Sequence, residues 1–152
     1  MLRAVGAREE RAARWVELSI SKEDLGVNFT ANVDNGIKGF AGVSVHSSTV
    51  PYCRLDMLHV NEDYRGRGIG QRLLDAAISD AREREFAFML LAVSKTNEAA
   101  IHIYEKKGFK VVPSLRTDLS SLFLTGNEFN LMYLDLKPLV QDRTRWPEWL
   151  RA

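Results

Sequence analysis

The stretch "HVNEDYRGRGIGQRLLDAAISDAREREF", residues 59–86, decides the fold. Gly66, Gly68 and Gly70 alternate with Arg65, Arg67 and Ile69 and then give way to a helical pattern. Leu73, Leu74, Ala77, Ile78 and Ala81 form one apolar stripe, with Arg72, Asp75, Asp80 and Arg82 on the other side. A helix start leaves its first N–H groups without internal partners and carries a fraction of a positive charge. Glycine lets the backbone approach a ligand closely, and arginine adds forked donors suited to phosphate. The pattern points to an anion site, most naturally a diphosphate cradle, although a glycine-rich turn also serves simply as a corner. A dinucleotide fingerprint requires a third glycine at position 71, where glutamine stands, and no P-loop spacing is present.

Working outward, "VNFTANV" (27–33), "KGFAGVSVH" (38–46) and "YCRLDMLHV" (52–60) read as strands. Asp34-Asn35-Gly36 is a hairpin signal between the first two, and residues 46–51 form the next turn, giving a three-strand antiparallel meander. Downstream, "FAFMLLAV" (86–93) is a continuous apolar run expected of a strand buried on both faces. A second helix is predicted over Glu98–Lys107, with Gly108 as a left-handed terminator. "FKVVPSL" (109–115) and "EFNLMYLDL" (128–136) read as closing strands, and the polar connection 116–127 carries no assignment. Upstream, Arg8–Leu18 is rich in helix formers, Leu2–Val5 is a candidate short first strand, and "SKED" (21–24) reads as a turn or cap. Strand, helix, strand around the glycine turn implies a parallel crossover. The expected fold is therefore α/β: one domain over 1–152, its mixed sheet antiparallel at first and parallel at the centre, flanked by helices, with a tail over 137–152.

Composition narrows the function classes. The chain has 152 residues, 45% hydrophobic and 27% charged, and a formal charge of +1, which suits a globular domain and disfavours a dedicated nucleic-acid binder. Arg82 and Arg84 interleave with Asp80, Glu83 and Glu85, as on a solvated helix face. One cysteine, Cys53, excludes an internal disulfide and suits a reducing compartment. The start of the chain lacks a signal h-region, so a cytoplasmic location with no membrane partner is expected.

Here a resemblance enters. "VNEDYRGRGIGQRLLDAA" resembles the acetyl-CoA motif of the GNAT superfamily of N-acetyltransferases, Q/R-x-x-G-x-G/A, through Arg65, Gly68 and Gly70. "SKTNEAAIHIYEKKGFKVV" is similar to that family's N-x-x-A-x-x-x-Y-x-K-x-G-F segment, through Asn97, Ala100, Tyr104, Lys106, Gly108 and Phe109. The resemblance is firm over 52–112 and implies a GNAT-like fold, here with a shortened N-terminal region. It also implies acyl transfer from acetyl-CoA to an amine; on ligand spacing, no metal is expected. Carried over residue by residue, Arg65, Gly66, Arg67, Gly68, Ile69 and Gly70 would hold the pyrophosphate. Leu58 and Val60 would pair through their backbone with the pantetheine arm, Asn97 would bond that arm, and Tyr104 would point at the thioester sulfur.

Amine attack on a thioester needs a neutral nucleophile and a proton for the departing thiolate. An alkyl amine with a pKa of about 10.4 is mostly charged at neutral pH, so a group must take its proton. Tyr104 is the candidate acid, the alternative being a tyrosine that packs the helix on the sheet. Asp56 is the candidate base, or else a partner for Arg54; period-two alternation places it with Arg54, Leu58 and Val60. Glu62 is a second candidate base. Cys53 is expected to be an inert buried thiol and His59 a packed histidine at the core edge, and His46 and His102 lack metal-ligand spacing. The acceptor is expected to be a protein or peptide amine, the alternatives being a small amine such as a polyamine or aminoglycoside, or a coenzyme- or nucleic-acid-binding module without catalysis. "TRWPEWLRA" (144–152) could meet a partner, a second copy of the chain included, or fold back on its own domain.

Overall fold

The computed structural model describes residues 17–23, 26–46, 50–112, 129–138 and 142–151. Seven strands form one sheet in the order β1-β2-β3-β4-β5-β7-β6. They are β1 (Glu17–Glu23), β2 (Gly26–Val33), β3 (Gly36–His46), β4 (Tyr52–Val60), β5 (Phe88–Ser94), β6 (Lys110–Val111) and β7 (Phe129–Asp135). The α-helices among the described residues are α1 (Ile69–Glu83), α2 (Glu98–Lys106) and the short α3 (Glu148–Arg151). Every neighbouring pair is antiparallel except β4–β5, the crossover that the glycine turn and α1 require. The mixed sheet expected from the sequence is thus the observed one.

The N-terminal side differs from expectation. Glu17 and Leu18 stand in β1, so the helix expected over Arg8–Leu18 does not reach them; its first part, and the candidate strand 2–5, lie outside the described residues. Ser21–Glu23, expected as a turn, also belong to β1. The strand's full ladder to β2, from Glu17 opposite Asn32 to Glu23 opposite Gly26, outweighs the weak helical preference of its residues. The meander therefore has four strands. Of the closing strand expected at 109–115, Lys110–Val111 pair with β7 and the Val112 N–H bonds the Leu131 carbonyl; residues 113–115 and the connection 116–127 lie outside the described residues.

α1 and α2 cover one face of the sheet. There Ile69, Leu73, Leu74, Ala77 and Ile78 meet Phe29, Ala41, Val43, Cys53, Leu55, Met89 and Leu91, with Ala100, Ile103 and Tyr104 packed alongside. Gly39 of β3 allows close seating: a Cβ there would lie 3.2 Å from both Ile69 Cγ2 and Leu73 Cδ1. Both long helices end by the same device. The N–H of Phe109 bonds the carbonyl of Tyr104 and that of Gly108 bonds Glu105, with Gly108 at φ 99°. At the end of α1 the N–H of Phe86 reaches Ala81 and that of Glu85 reaches Arg82, but the left-handed residue is Glu85, at φ 63°. The opposite face is covered by the C-terminal segment, where Trp146 and Leu150 pack on Phe88, Leu90, Leu131 and Tyr133. The tail folds back on its own sheet.

β4 carries one irregularity, opposite Gly42 and Val43 of β3. Gly42 of β3 pairs with Met57 and Val43 pairs with Leu55, so Asp56 is an extra residue in the ladder, a β-bulge. An extra residue reverses the alternation of side chains beyond it. Cys53 and Leu55 face the helices, and after the bulge so do Leu58 and Val60. Asp56 stays on the far side with Arg54, to which it is ion-paired. The expected common face for Asp56, Leu58 and Val60 is thus corrected.

Candidate active site

β4 and β5 pair only where Cys53–Leu55 meets Met89–Leu91. Beyond that point, among the described residues, Met57–Val60 pair with β3 alone and Ala92–Ser94 with β7 alone, leaving facing edges of two central strands without a ladder between them. Unpaired strand edges carry N–H and C=O groups that seek partners. A pocket of about 230 Å³ opens here on the helical face. Its walls are Leu58, Val60, Tyr64, Arg65, Gly66, Gly68, Ile69, Gly70, Gln71, Ala100, Ile103 and Tyr104.

The glycine turn forms one end of the pocket. Gly66 and Gly68 adopt φ of 75° and 78°, a left-handed backbone that disfavours any side chain, and a Cβ on either would meet nothing within 4 Å. The backbone therefore faces open space where a bulky ligand can touch it. Gly68 is the N-cap of α1 without a capping side chain, and the first helical bond runs from the N–H of Arg72 to its carbonyl. The amides of Ile69, Gly70 and Gln71 are those that a helix leaves without internal acceptors. The glycine pattern, the left-handed backbone and the pocket thus coincide at the head of α1.

The arginines play different parts. Arg65 donates from Nε to the carbonyl of Val60 at 3.0 Å, tying the turn to the end of β4. Arg67 lies outside the pocket walls; its guanidinium carbon sits 4.8 Å from the ring centre of Tyr64, and Nη2 donates to the Asp63 carbonyl at 3.4 Å.

At the other end, Tyr104 lines the pocket beside Ala100 and Ile103 and packs edge-on against Phe109, with 5.7 Å between ring centres. Burial raises its pKa above the ordinary phenol value, so it remains a proton donor throughout the neutral range. Asn97 is absent from the walls. It caps α2, its Oδ1 accepting from the N–H of Ala100 at 3.2 Å.

Asp56 is on the far side of the sheet, at the level where β4 and β5 part. Glu62 lies exposed in the 3-10 turn Glu62–Tyr64. Cys53 is fully buried, and its thiol, pushed up to about 12 chiefly by burial, is inert as expected. His59 differs from expectation: the bulge turns it outward, where it is exposed against Phe40 at 5.5 Å. No group of three metal-ligating side chains occurs among the described residues, and none of their helices is long and apolar enough to cross a membrane.

Four wall residues were missed in the sequence: Tyr64, Gln71, Ala100 and Ile103. Ala100, Ile103 and Tyr104 are spaced as one stripe of a helix, a signal that was available. Tyr64 and Gln71 only flank the glycines, and nothing in their identity announces a wall.

Residues 4–109 match the Acetyltransferase (GNAT) family. This chain belongs to that family. It is 29% identical over 118 residues to streptothricin acetyltransferase A of Bacillus subtilis (strain 168), covering 78% of this chain and 66% of that one. Among solved structures it is similar to the ribosomal-protein-S18-alanine N-acetyltransferase of Escherichia coli, at 26% identity and a TM-score of 0.60 over 76% of this chain and 72% of that one. A Bacillus subtilis acetyltransferase in complex with CoA shares the fold at 16% identity and a TM-score of 0.62, over 79% and 98% of the two chains. This GNAT chain spans 66%, 18% and 55% of three of its curated relatives.

Proposed function

We propose that this GNAT chain transfers the acetyl group of acetyl-CoA to a primary amine. The observation that carries the reading is the left-handed glycine turn at the head of α1, opening into a pocket that runs between the unpaired end of β4 and Tyr104. The turn from Arg65 to Gly70 receives the diphosphate, chiefly through the amides at the head of α1, where the helix dipole favours negative charge; the Arg65 amide itself is held by the Glu62 carbonyl. Arg67 contributes charge from outside the walls. The pantetheine arm lies along Leu58 and Val60 and takes backbone bonds that β5 leaves open. Asn97 holds the first turn of α2 and so positions Ala100, Ile103 and Tyr104 beside that arm; its Nδ2 is the group it would offer the arm.

The thioester then sits in the gap between the strands. The amine attacks its carbonyl carbon, forming C–N, and the tetrahedral intermediate breaks C–S. Tyr104 gives its proton to the departing thiolate. The proton lost by the nitrogen passes to Asp56 through water on the far side of the sheet. The bulge favours this division, because it presents Asp56 to the face opposite the coenzyme at the level of the gap.

For the acceptor we favour an amine on a peptide or protein, in keeping with the likeness to the S18-alanine enzyme. A small amine is the second reading, supported by the likeness to the streptothricin enzyme. Thiol release from acetyl-CoA, followed with lysine peptides, free N-terminal peptides and small amines, tests both. Turnover with peptides supports the first, and turnover confined to small amines replaces it with the second. No CoA binding by calorimetry removes the transferase reading altogether.

A further inference from the structure

The glycine turn raises a mechanical question: what holds it? Gly66 and Gly68 have no side chains, and the space beside them is empty to 4 Å. The turn is therefore fixed from its flanks. Downstream the anchor is Ile69, only 1% exposed in the core. Upstream the anchors are the Arg65–Val60 bond and Tyr64, whose ring forms part of the pocket wall beside Gly66 and Gly68.

Tyr64 is gripped from far away in sequence. Its hydroxyl donates to Asp34 Oδ2 at 3.0 Å, and Asp34 lies at the tip of the β2–β3 hairpin. Lys38 places its ammonium 5.1 Å from the same ring centre, while the Lys38 carbonyl accepts from the N–H of Asn61 at 2.7 Å. The tip itself is a two-residue hairpin loop, with Asp34 and Asn35 at φ of 50° and 62°. Asp34 lines no part of the pocket.

We infer that the β2–β3 hairpin tip clamps Tyr64 and thereby holds the glycine turn in its binding shape, making Asp34 a positioning residue for the donor substrate. The inference rests on the proposed use of that turn for coenzyme A. Its sign is opposite to that of simple electrostatics. Coenzyme A is an anion, so deleting a nearby carboxylate should strengthen binding if charge alone mattered. If Asp34 instead orders the turn, deleting it should weaken binding, because part of the binding energy then goes into ordering the loop.

The test uses Asp34→Gly, which keeps the left-handed backbone free of strain, together with Tyr64→Phe and the double variant. The KM for acetyl-CoA should rise about three- to tenfold in Asp34→Gly, as for loss of one ordinary, solvent-exposed hydrogen bond. The acceptor KM should change less than twofold. The double variant should be no worse than the more affected single, as for two ends of one bond. An acetyl-CoA KM that falls or stays put, or effects that multiply in the double variant, would overturn the clamp while calorimetric binding of CoA to the wild type leaves the transferase reading standing. Absence of CoA binding to the wild type overturns both.

Discussion

The two faces of the sheet are built from the same strands and do different work. On the helical face, mainly aliphatic packing under α1 and α2, with a few aromatics such as Phe29, runs to the point where β4 and β5 separate, and there it becomes a pocket. The far face is aromatic. His46 stacks on Tyr52 at 5.1 Å, Tyr52 on Phe88 at 4.8 Å, and Phe88 meets Trp146 at 4.9 Å, with Tyr133 edge-on to Trp146 at 6.1 Å. Beyond this row the far face turns polar, with Arg54 and Asp56 at the bulge. The contrast teaches that the sheet acts as a partition. The turn proposed for the coenzyme and the proposed acid lie on one side, the proposed base on the other, and the gap connects them.

If that partition holds, damage to the far face should cost stability and spare coenzyme binding. Trp146 is 2% exposed, wedged between Phe88 and Tyr133, with the Arg143 guanidinium 5.1 Å from its ring centre. Trp146→Ala should lower the unfolding free energy by about 3 kcal/mol, as for other large aromatic truncations. Its buried indole N–H has no hydrogen-bond partner among the described residues, so removal recovers a small part of that loss. Denaturant melts measure the loss, and CoA titration of the folded variant should return the wild-type affinity. A large fall in affinity would show the faces to be coupled.

The converse experiment belongs to the helical face. Tyr104→Phe removes the proton donor and keeps the ring that packs on Phe109. Turnover should fall about 100-fold, the lower range for general acid catalysis, with acetyl-CoA affinity within about twofold of wild type. Unchanged turnover would make Tyr104 a packing residue.

How much of this was legible in the sequence depended on range. The glycine turn, α1, α2 and the central strand were readable because their signals are local: a helix period, a left-handed glycine, an unbroken apolar run. The same locality misled at Glu17–Glu23, where "ELSISKE" follows a run of helix formers and becomes a strand only through its pairing with β2. Asp56 was identified as a candidate but assigned to the wrong face, since alternation was carried straight through a bulge that depends on how β3 and β4 align. Tyr64 was overlooked because its anchor, Asp34, is 30 positions away.

A smaller effect compares the two helix ends. Gly108 ends α2 without strain, whereas Glu85 ends α1 in the same left-handed region at φ 63°. Glu85→Gly should therefore stabilise the fold by about 1 kcal/mol, less the added freedom of glycine in the unfolded chain. The exposed pair between Glu85 and Lys137, 3.9 Å apart, contributes little against this. A thermal melt that moves downward would show the pair, and not the backbone, to dominate.

The smallest effect tests whether the polar end of the far face senses pH. His46 shares a hydrogen bond with Ser44 at 2.9 Å and stacks on Tyr52. Its pKa is lowered, first by burial and then by the charge of Arg54, with Asp56 acting weakly in the opposite sense. The folded state thus favours the neutral ring, while the unfolded chain takes up a proton from about pH 6.5 downward. Stability associated with His46 is present above that pH and declines as the pH falls through the lowered folded value. Between pH 7 and 5.5 the wild type should lose more melting temperature than His46→Gln, which carries no titrating ring. Because the ring is partly exposed, the gap between the two slopes should be modest. Parallel slopes would mean that protonated His46 is as well accommodated as neutral His46, and that Arg54 is screened from it by solvent.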